Sequence, residues 1–387
     1  VSIALVTTTI QVPEVLGWYR EIGPDVPFYV IGDEQAPHDE IRAFCERNGS
    51  MVYYSDEDQH KLGYESSELL GWRCTGRRSI GLLEAVKHGA SIVVMIDDDN
   101  IPLDRRYFDD FAEDLSRSFS GLVLGGRWAD PGGFLIPPVH HRGFPHELWH
   151  PDRAPAVGYG SGIRVGVSAG LWLGDPDIDA VTRIAARPLC TGVSPAAAAG
   201  LAVAPGTYAP FNSQNTAFAR DLLPVMTMLP GAGRYDDIWA SYVAQRVMRE
   251  FGWSVRYGRP LVWQERNTHT LSRDLAAETR GMRDTLPFTA ALDDVDLSGA
   301  ETVLDAAGMV YGSLEHGPWR DTRIGVLGAA WVRDCAKVLA ASTPAPMQPA
   351  RVTVSRTDLE MVLDTSKPRW DQGMLAARQR LAGALPL

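Results

Sequence analysis

The run SIVVMIDDDN, residues 91–100, constrains this chain more than any other feature. Its first part has apolar residues on both alternating faces, the pattern of a strand buried in a sheet that is covered on both sides. It then ends abruptly in Asp97, Asp98 and Asp99. Three adjacent carboxylates repel one another, so holding them together costs energy unless a cation, or a turn with free amides, relieves it. A solvated acidic turn capping the next helix is the plain alternative. At a strand end Asp97 and Asp99 point to the same side. That pair suits Mg²⁺ or Mn²⁺, which take oxygen ligands and leave positions for phosphate oxygens. Open α/β sheets also bind their ligands beyond the carboxyl ends of strands.

The flanking sequence repeats the strand–helix alternation. SIALVT (2–7) and PFYVI (27–31) read as further strands. In RRSIGLLEAVKHGA, Ile80, Leu83 and Val86 share one helical face and Gly89 falls where a helix C-cap is expected. The fold class predicted is α/β, Rossmann-like, with a mainly parallel central sheet. From about 125 to 215 the chain is rich in Gly, Pro and aromatics, which predicts long loops, with GYGSG (158–162) a flexible one. An amphipathic helix is expected over 237–251 through Ile238, Tyr242, Val243, Val247 and Phe251, and another over 320–341. STPAPMQPA (342–350) reads as a linker to a helical tail. We therefore expect a catalytic domain over 1–290 and a mainly helical region over 291–387, able to cover the fold or to mediate homo-oligomerisation.

Composition removes several classes of function. A net charge of −11 argues against a general nucleic-acid binder, which needs a basic face. Cys45, Cys74, Cys190 and Cys335 show no C-x-x-C pairing, which fits a reducing compartment without a zinc site or disulfide framework. With no apolar stretch near the ~18 residues that span a membrane and no leader-like N-terminus, the expectation is a cytoplasmic protein. After the first strand the chain reads TTTIQVP rather than G-x-G-x-x-G, so neither flavin nor NAD is expected.

Other residues join the acidic triplet as candidates. Arg77 and Arg78 open the helix before the acidic strand, where a guanidinium could reach a diphosphate or brace the aspartates. Asp236 and Asp237, in GRYDDIW, begin the later amphipathic helix. Carboxylates favour that position for capping alone, but they could also bind sugar hydroxyls or move a proton. His140, His141, His146 and His150 crowd a Pro-containing loop without zinc-site spacing and read mostly as structural.

Four ordered blocks then resemble one family: IDDDN, SAGLWLGDPDIDAVTRI (168–184), PFNSQNTAFARDLLP (210–224) and GRYDDIWA (233–240). Over roughly residues 90–265 the chain is similar to the reversibly glycosylated polypeptides, the UDP-arabinopyranose mutases of plants. The resemblance implies a GT-A fold, a D-x-D metal site, and flavin-free interconversion of the pyranose and furanose forms of a nucleotide sugar. It also implies an arginine that becomes reversibly glycosylated. Arg142, in Arg142-Gly143-Phe144-Pro145, matches that context with Phe for Tyr.

Further assignments follow from the resemblance. The family's second functional arginine falls at Trp149, so Arg153 or Arg164 is expected to replace it. The family's histidine after the last core strand falls at Gln264, and His269 in QERNTH is the expected substitute, joining Asp97 and Asp99 at the metal. Asp98 is expected to brace an arginine or the backbone beside the nucleotide. Asp33, Thr7 and the Tyr53-Tyr54 pair lie where GT-A proteins hold theirs. The chain also resembles the flavin-independent GDP-sugar mutases of actinobacterial nucleoside-antibiotic pathways, which makes GDP-L-galactose the favoured substrate and UDP-arabinose the next. The alternative is a GT-A glycosyltransferase that passes its sugar to an external acceptor.

Overall fold

A computed structural model describes residues 1–149, 156–267 and 269–342, together with the backbone of a short strand at Thr353–Ser355. The β-branched and aliphatic runs read above become strands β1 (Ile3–Thr8), β2 (Phe28–Ile31) and β4 (Ile92–Ile96), with β3 (Met51–Tyr54) beyond β2. They pair in parallel in the order β3-β2-β1-β4. All five side chains of β4 are buried, as its two-faced apolar character requires. The helix Arg78–Lys87 lies against this half-sheet. Gly81 permits the close approach, since a Cβ there would stand 2.5 Å from Val6 Cγ1 and 2.9 Å from Ile31 Cγ1.

The remaining strands turn the sheet into a mixed one. They are β5 (Asn100–Pro102), β6 (Ser118–Gly125), β7 (Ala156–Gly174), β8 (Leu201–Val203), β9 (Asn215–Ala219), β10 (Trp253–Gln264) and β11 (Thr353–Ser355). The order continues from β4 through β9-β7-β6-β8-β10-β5. β11 pairs with β7, and β7 also pairs with β10, giving eleven strands in one sheet. β9 runs antiparallel to β4, so its start, at Asn215, lies beside Ile96 at the acidic end of that strand.

Several expectations change here. GYGSG is not a loop: it lies within the 19-residue strand β7, paired to β6. Glycines hide the alternation that marks a strand, and Gly160 packs without a side chain where a Cβ would press on Ile163 and Val123. The helices predicted near 237–251 and 320–341 are Asp236–Glu250 and Ile324–Ala341. The helix Leu271–Asp293 runs without a break through residue 290. The helices Val303–Leu314 and Ile324–Ala341 share one apolar core with β1 and β4. Trp331 Nε1 donates to the Leu223 carbonyl at 3.1 Å, and Asp334 accepts from Ser66 N at 2.8 Å. Of the expected linker at 342–350 only Ser342 is described, and the tail lies outside the described residues, apart from β11. Among the described residues no helix is long and apolar enough to cross a membrane.

Candidate active site

The parallel half-sheet delivers its strand ends to one cavity of about 690 Å³. Its floor is formed by Thr8 at the end of β1 and Thr9 after it, Asp33 after β2 and Asp97–Asp99 after β4. Ser213 and Gln214 before β9, Arg266 and Asn267 after β10, and Asp236 and Asp237 on the helix Asp236–Glu250 close it from the other side. Of the residues expected from sequence, Asp33, Arg78, Asp97, Asp98, Asp99, Arg142, Asp236, Asp237 and His269 meet here.

Each carboxylate of the triplet has a different environment. Asp97 is bonded by Arg78, whose guanidinium also donates to the carbonyls of Ser213 and Ile96, each at 3.2 Å. Asp98 accepts from the Thr9 hydroxyl at 2.6 Å. Asp98 was expected to brace an arginine or the backbone; here Asp97 braces the arginine and Asp98 holds the Thr9 hydroxyl. Asp99 Oδ2 accepts only a long bond from Asn267 N, 3.4 Å, and its buried Oδ1 has no partner among the described residues. Burial first, then the charge of Asp97, pushes the Asp99 carboxyl up to about 7, and burial likewise raises Asp98. An orphaned carboxylate oxygen beside two other carboxylates fits a hard divalent cation. Asp97 and Asp99 would hold it, with water and substrate oxygens filling the remaining positions.

The third expected ligand does not join them. Among the described residues no three His, Cys, Asp or Glu side chains form a ready metal-binding group. His269 lines the cavity but pairs with Asp274 at 3.1 Å, and burial followed by the nearby Arg234 charge lowers its pKa.

Opposite the triplet, the Arg142-Gly143-Phe144-Pro145 turn presents its arginine. Gly143 adopts φ +98°, and a Cβ there would fall 2.3 Å from Ile238 Cγ2, so only glycine fits this turn against the helix. Tyr242 Oη donates to the Gly143 carbonyl at 2.7 Å and holds the turn down. Arg142 is 5% exposed. It donates to Asp177 through Nε and Nη2 (2.9 and 3.0 Å) and to Asp237 through Nη1 and Nη2 (3.1 and 3.2 Å). Nη1 also bonds the Arg234 carbonyl, so all five N–H donors are engaged. Burial opposes its charge, but Asp177 and Asp237 outweigh it and hold the guanidinium well above its usual range.

Beside this clamp Asp236 accepts from Thr75 Oγ1 at 2.6 Å. Burial, then the adjacent Asp237 charge, moves its carboxyl up to about 6. Asp33 accepts from Glu34 N at 2.7 Å and from Cys74 N at 3.2 Å, and so shapes the opposite end.

Four sequence assignments fall away from the cavity. Thr7 is fully buried and spends its hydroxyl on the Ile96 carbonyl at 3.0 Å, because a strand residue one position short of the end points into the sheet. Arg77 is buried on the far side of its helix start, bonded to Gln59 and Ser67 and stacked on Trp72. Arg164 sits within β7 with its guanidinium 4.2 Å from the centroid of the Trp253 ring, outside the cavity lining. Tyr53 and Tyr54 turn to His38 and Glu84 instead of the cavity. Among the loop histidines, His140 bonds Asp130 and His141 Nδ1 bonds the Arg142 carbonyl at 2.6 Å, both structural roles. His150 and Arg153 lie outside the described residues.

Sequence reasoning missed Asp177, Arg234 and Arg266, although Asp177 lies inside the block GDPDID and Arg266 inside QERNTH. No local pattern distinguishes them; they matter through what they meet in space.

The cavity is that of a Rossmann-like α/β protein whose strand ends gather acidic and cationic side chains. Residues 153–334 match the profile of the family described as reversibly glycosylated polypeptide. Over that segment the chain is similar to this family. It is 34% identical over 170 residues to UDP-arabinopyranose mutase 3 of Arabidopsis thaliana, covering 40% of this chain and 46% of that protein. It is 34% identical over 136 residues to UDP-arabinopyranose mutase 1 of Oryza sativa subsp. japonica, covering 33% and 36%. A probable UDP-arabinopyranose mutase 1 of Solanum tuberosum is 32% identical over 173 residues, covering 41% and 46%. The chain thus spans less than half the length of the curated relatives it matches.

Proposed function

We propose that this protein is a flavin-independent nucleotide-sugar mutase that interconverts the pyranose and furanose forms of a nucleoside-diphosphate sugar with Mg²⁺ or Mn²⁺ bound at Asp97 and Asp99. The observation that carries the reading is one shared cavity, with a carboxylate pair suited to a metal diphosphate on one wall and the Arg142–Asp237–Asp236 cluster on the other. When bound, the cation would supply charge stabilisation to the departing diphosphate.

The chain's own residues then have separate tasks. Breaking the bond between the anomeric carbon and the phosphate oxygen sends the electron pair to the diphosphate. The sugar hydroxyl that will close the other ring attacks the anomeric carbon, and Asp236 takes its proton. As the original ring carbon–oxygen bond breaks, Asp236 returns that proton to the released ring oxygen, and the diphosphate oxygen rejoins the anomeric carbon. No atom is gained or lost. A carboxyl near 6 is suited to passing a proton both ways at neutral pH.

Arg142 acts by holding Asp237 and the helix start in place. A guanidinium held between two carboxylates, with every N–H used, stays protonated and is a poor nucleophile, so the step is routed through the sugar rather than through a glycosylated arginine. The cytoplasm is the compartment we propose.

GDP-L-galactose and UDP-arabinopyranose are the substrates to try first. Each is incubated with the protein and Mn²⁺ or EDTA, without any acceptor, and the products are separated by chromatography. Appearance of the furanose isomer only with the metal is expected. Slow hydrolysis alone would favour a transferase instead.

A further inference from the structure

Among the described residues five arginines line the cavity, and four of them are already committed or exposed. Arg142 is fully engaged, Arg78 has both terminal nitrogens on Asp97, Ser213 and Ile96 with only its buried Nε lacking a partner among the described residues, and Arg234 pairs with Glu278 at 3.0 Å. Arg73 is mostly solvated at the rim. Arg266 differs: its side chain is 7% exposed, yet its nearest carboxylates are loose, Asp175 at 3.5 Å and Asp177 at 3.8 Å. Both belong first to other cations, Asp175 to Arg183 and Asp177 to Arg142.

The donors of Arg266 show the same deficit. Nη2 reaches the Pro176 carbonyl at 3.3 Å and, with the Gln264 amide turned to satisfy its neighbours, that side-chain oxygen at 3.2 Å. Nη1 makes no hydrogen bond among the described residues, and the buried Nε has none either. A buried guanidinium with open donors is costly unless an anion completes it. Burial indeed lowers its pKa.

Its position is set by the triplet. Glu265 N donates to the Asp99 carbonyl at 3.1 Å and Asn267 N to Asp99 Oδ2 at 3.4 Å, so the residues on both sides of Arg266 are tied to Asp99. We infer that Arg266 is the cavity's diphosphate-binding arginine, its guanidinium holding phosphate oxygens beside the Asp97–Asp99 pair. This gives Arg266 the diphosphate contact that the sequence suggested for Arg77 or Arg78, and it rests on the nucleoside-diphosphate reading above. A planar fork with two open donor positions matches phosphate oxygens better than a point charge would.

The test is calorimetric binding of inorganic pyrophosphate, UDP and GDP, with uridine and guanosine as controls, all in magnesium-containing buffer. Arg266→Gln should weaken each diphosphate at least tenfold and leave the nucleosides unchanged, while Arg266→Lys should recover part of the loss. Both variants are checked for wild-type thermal unfolding, and the Lys variant serves if the Gln variant unfolds. Wild-type diphosphate affinity in the variants, or no diphosphate binding by the wild type, would overturn the assignment. If the wild type binds diphosphates through Arg266 but never forms a furanose, the mutase reading fails and this one stands.

Discussion

Replacing Asp177 by alanine tests the logic of the arginine clamp. Asp177 is wholly buried and receives Arg142 Nε at 2.9 Å, Arg142 Nη2 at 3.0 Å and Asn212 Nδ2 at 2.8 Å. In Asp177→Ala the buried guanidinium keeps one carboxylate, Asp237, and two of its donors lose their acceptor. Breaking a buried ion pair from one side costs about 3–5 kcal/mol, because the remaining charge is left uncompensated. Arg142 borders the cavity, so water can reach part of the vacated space and the lower end, about 3 kcal/mol, is expected. With an unfolding entropy of roughly 2 cal/mol/K per residue, a chain of this size would lose about 4 °C in Tm.

The pH dependence has a definite sign. Burial would raise the Asp177 carboxyl, but Arg142 overrides it and holds the group far below the usual carboxylate range. A depressed folded pKa contributes stability that is present above the unfolded value, near 4, and is lost as pH falls toward the folded one. The wild-type advantage should therefore be level from neutral pH down to about 4 and shrink only below that. Urea denaturation at several pH values, with an Asp177/Arg142 double-mutant cycle, measures it. A loss under about 1 kcal/mol, or a cycle that is additive to within about 0.5 kcal/mol, would refute the reasoning.

Two further outcomes follow from the same geometry. Asp236 must be ionised to accept a proton, so turnover should fall as pH drops below about 6, and Asp236→Asn should remove that limb with a loss of roughly 100-fold or more. Because a raised folded pKa means stability is lost as pH rises through it, Asp236→Asn should also unfold at a higher temperature than the wild type at pH 8. Unchanged turnover in pH–rate profiles would remove Asp236 from the chemistry. Asp334 accepts from Glu65 N, Ser66 N and Ser66 Oγ at 3.2, 2.8 and 2.8 Å, joining the helix Ile324–Ala341 to the start of Glu65–Leu70. Asp334→Ala should cost about 2–4 kcal/mol in urea unfolding, with Asp334→Asn recovering part, and an unshifted midpoint would show the contact to be idle.

The parts of this molecule that were legible in its sequence are those carried by local periodicity. β4 announced itself because both of its faces are apolar, and the helices Arg78–Lys87 and Asp236–Glu250 because large apolar residues recur every three or four positions, although both helices are buried on nearly every side. β7 was hidden because its first half alternates glycine with exposed side chains, and its pairing partners β6, β9 and β10 are distant in sequence. Thr7 and Thr8 look alike as letters, yet the strand alternation sends one into the sheet and the other to the cavity.

The arginines were the hardest to assign, and the reason is physical. An arginine's role depends on how many of its five donors are already taken, which no spacing rule records. Arg77, Arg78, Arg142, Arg164 and Arg266 are all partly or wholly buried. Arg77 packs under Trp72, Arg164 stacks on Trp253, and Arg78 and Arg142 are consumed by Asp97 and by the pair Asp177 and Asp237. The carboxylates that would neutralise Arg266 have been claimed by Arg183 and Arg142 before it can use them. The same competition leaves Asp99 short of a partner, because Arg78 is spent on Asp97. Side by side, the cavity thus keeps an unfilled demand for a cation at Asp99 and an unfilled demand for an anion at Arg266. A metal-bound diphosphate satisfies both at once, whereas either component alone leaves one buried charge without a partner.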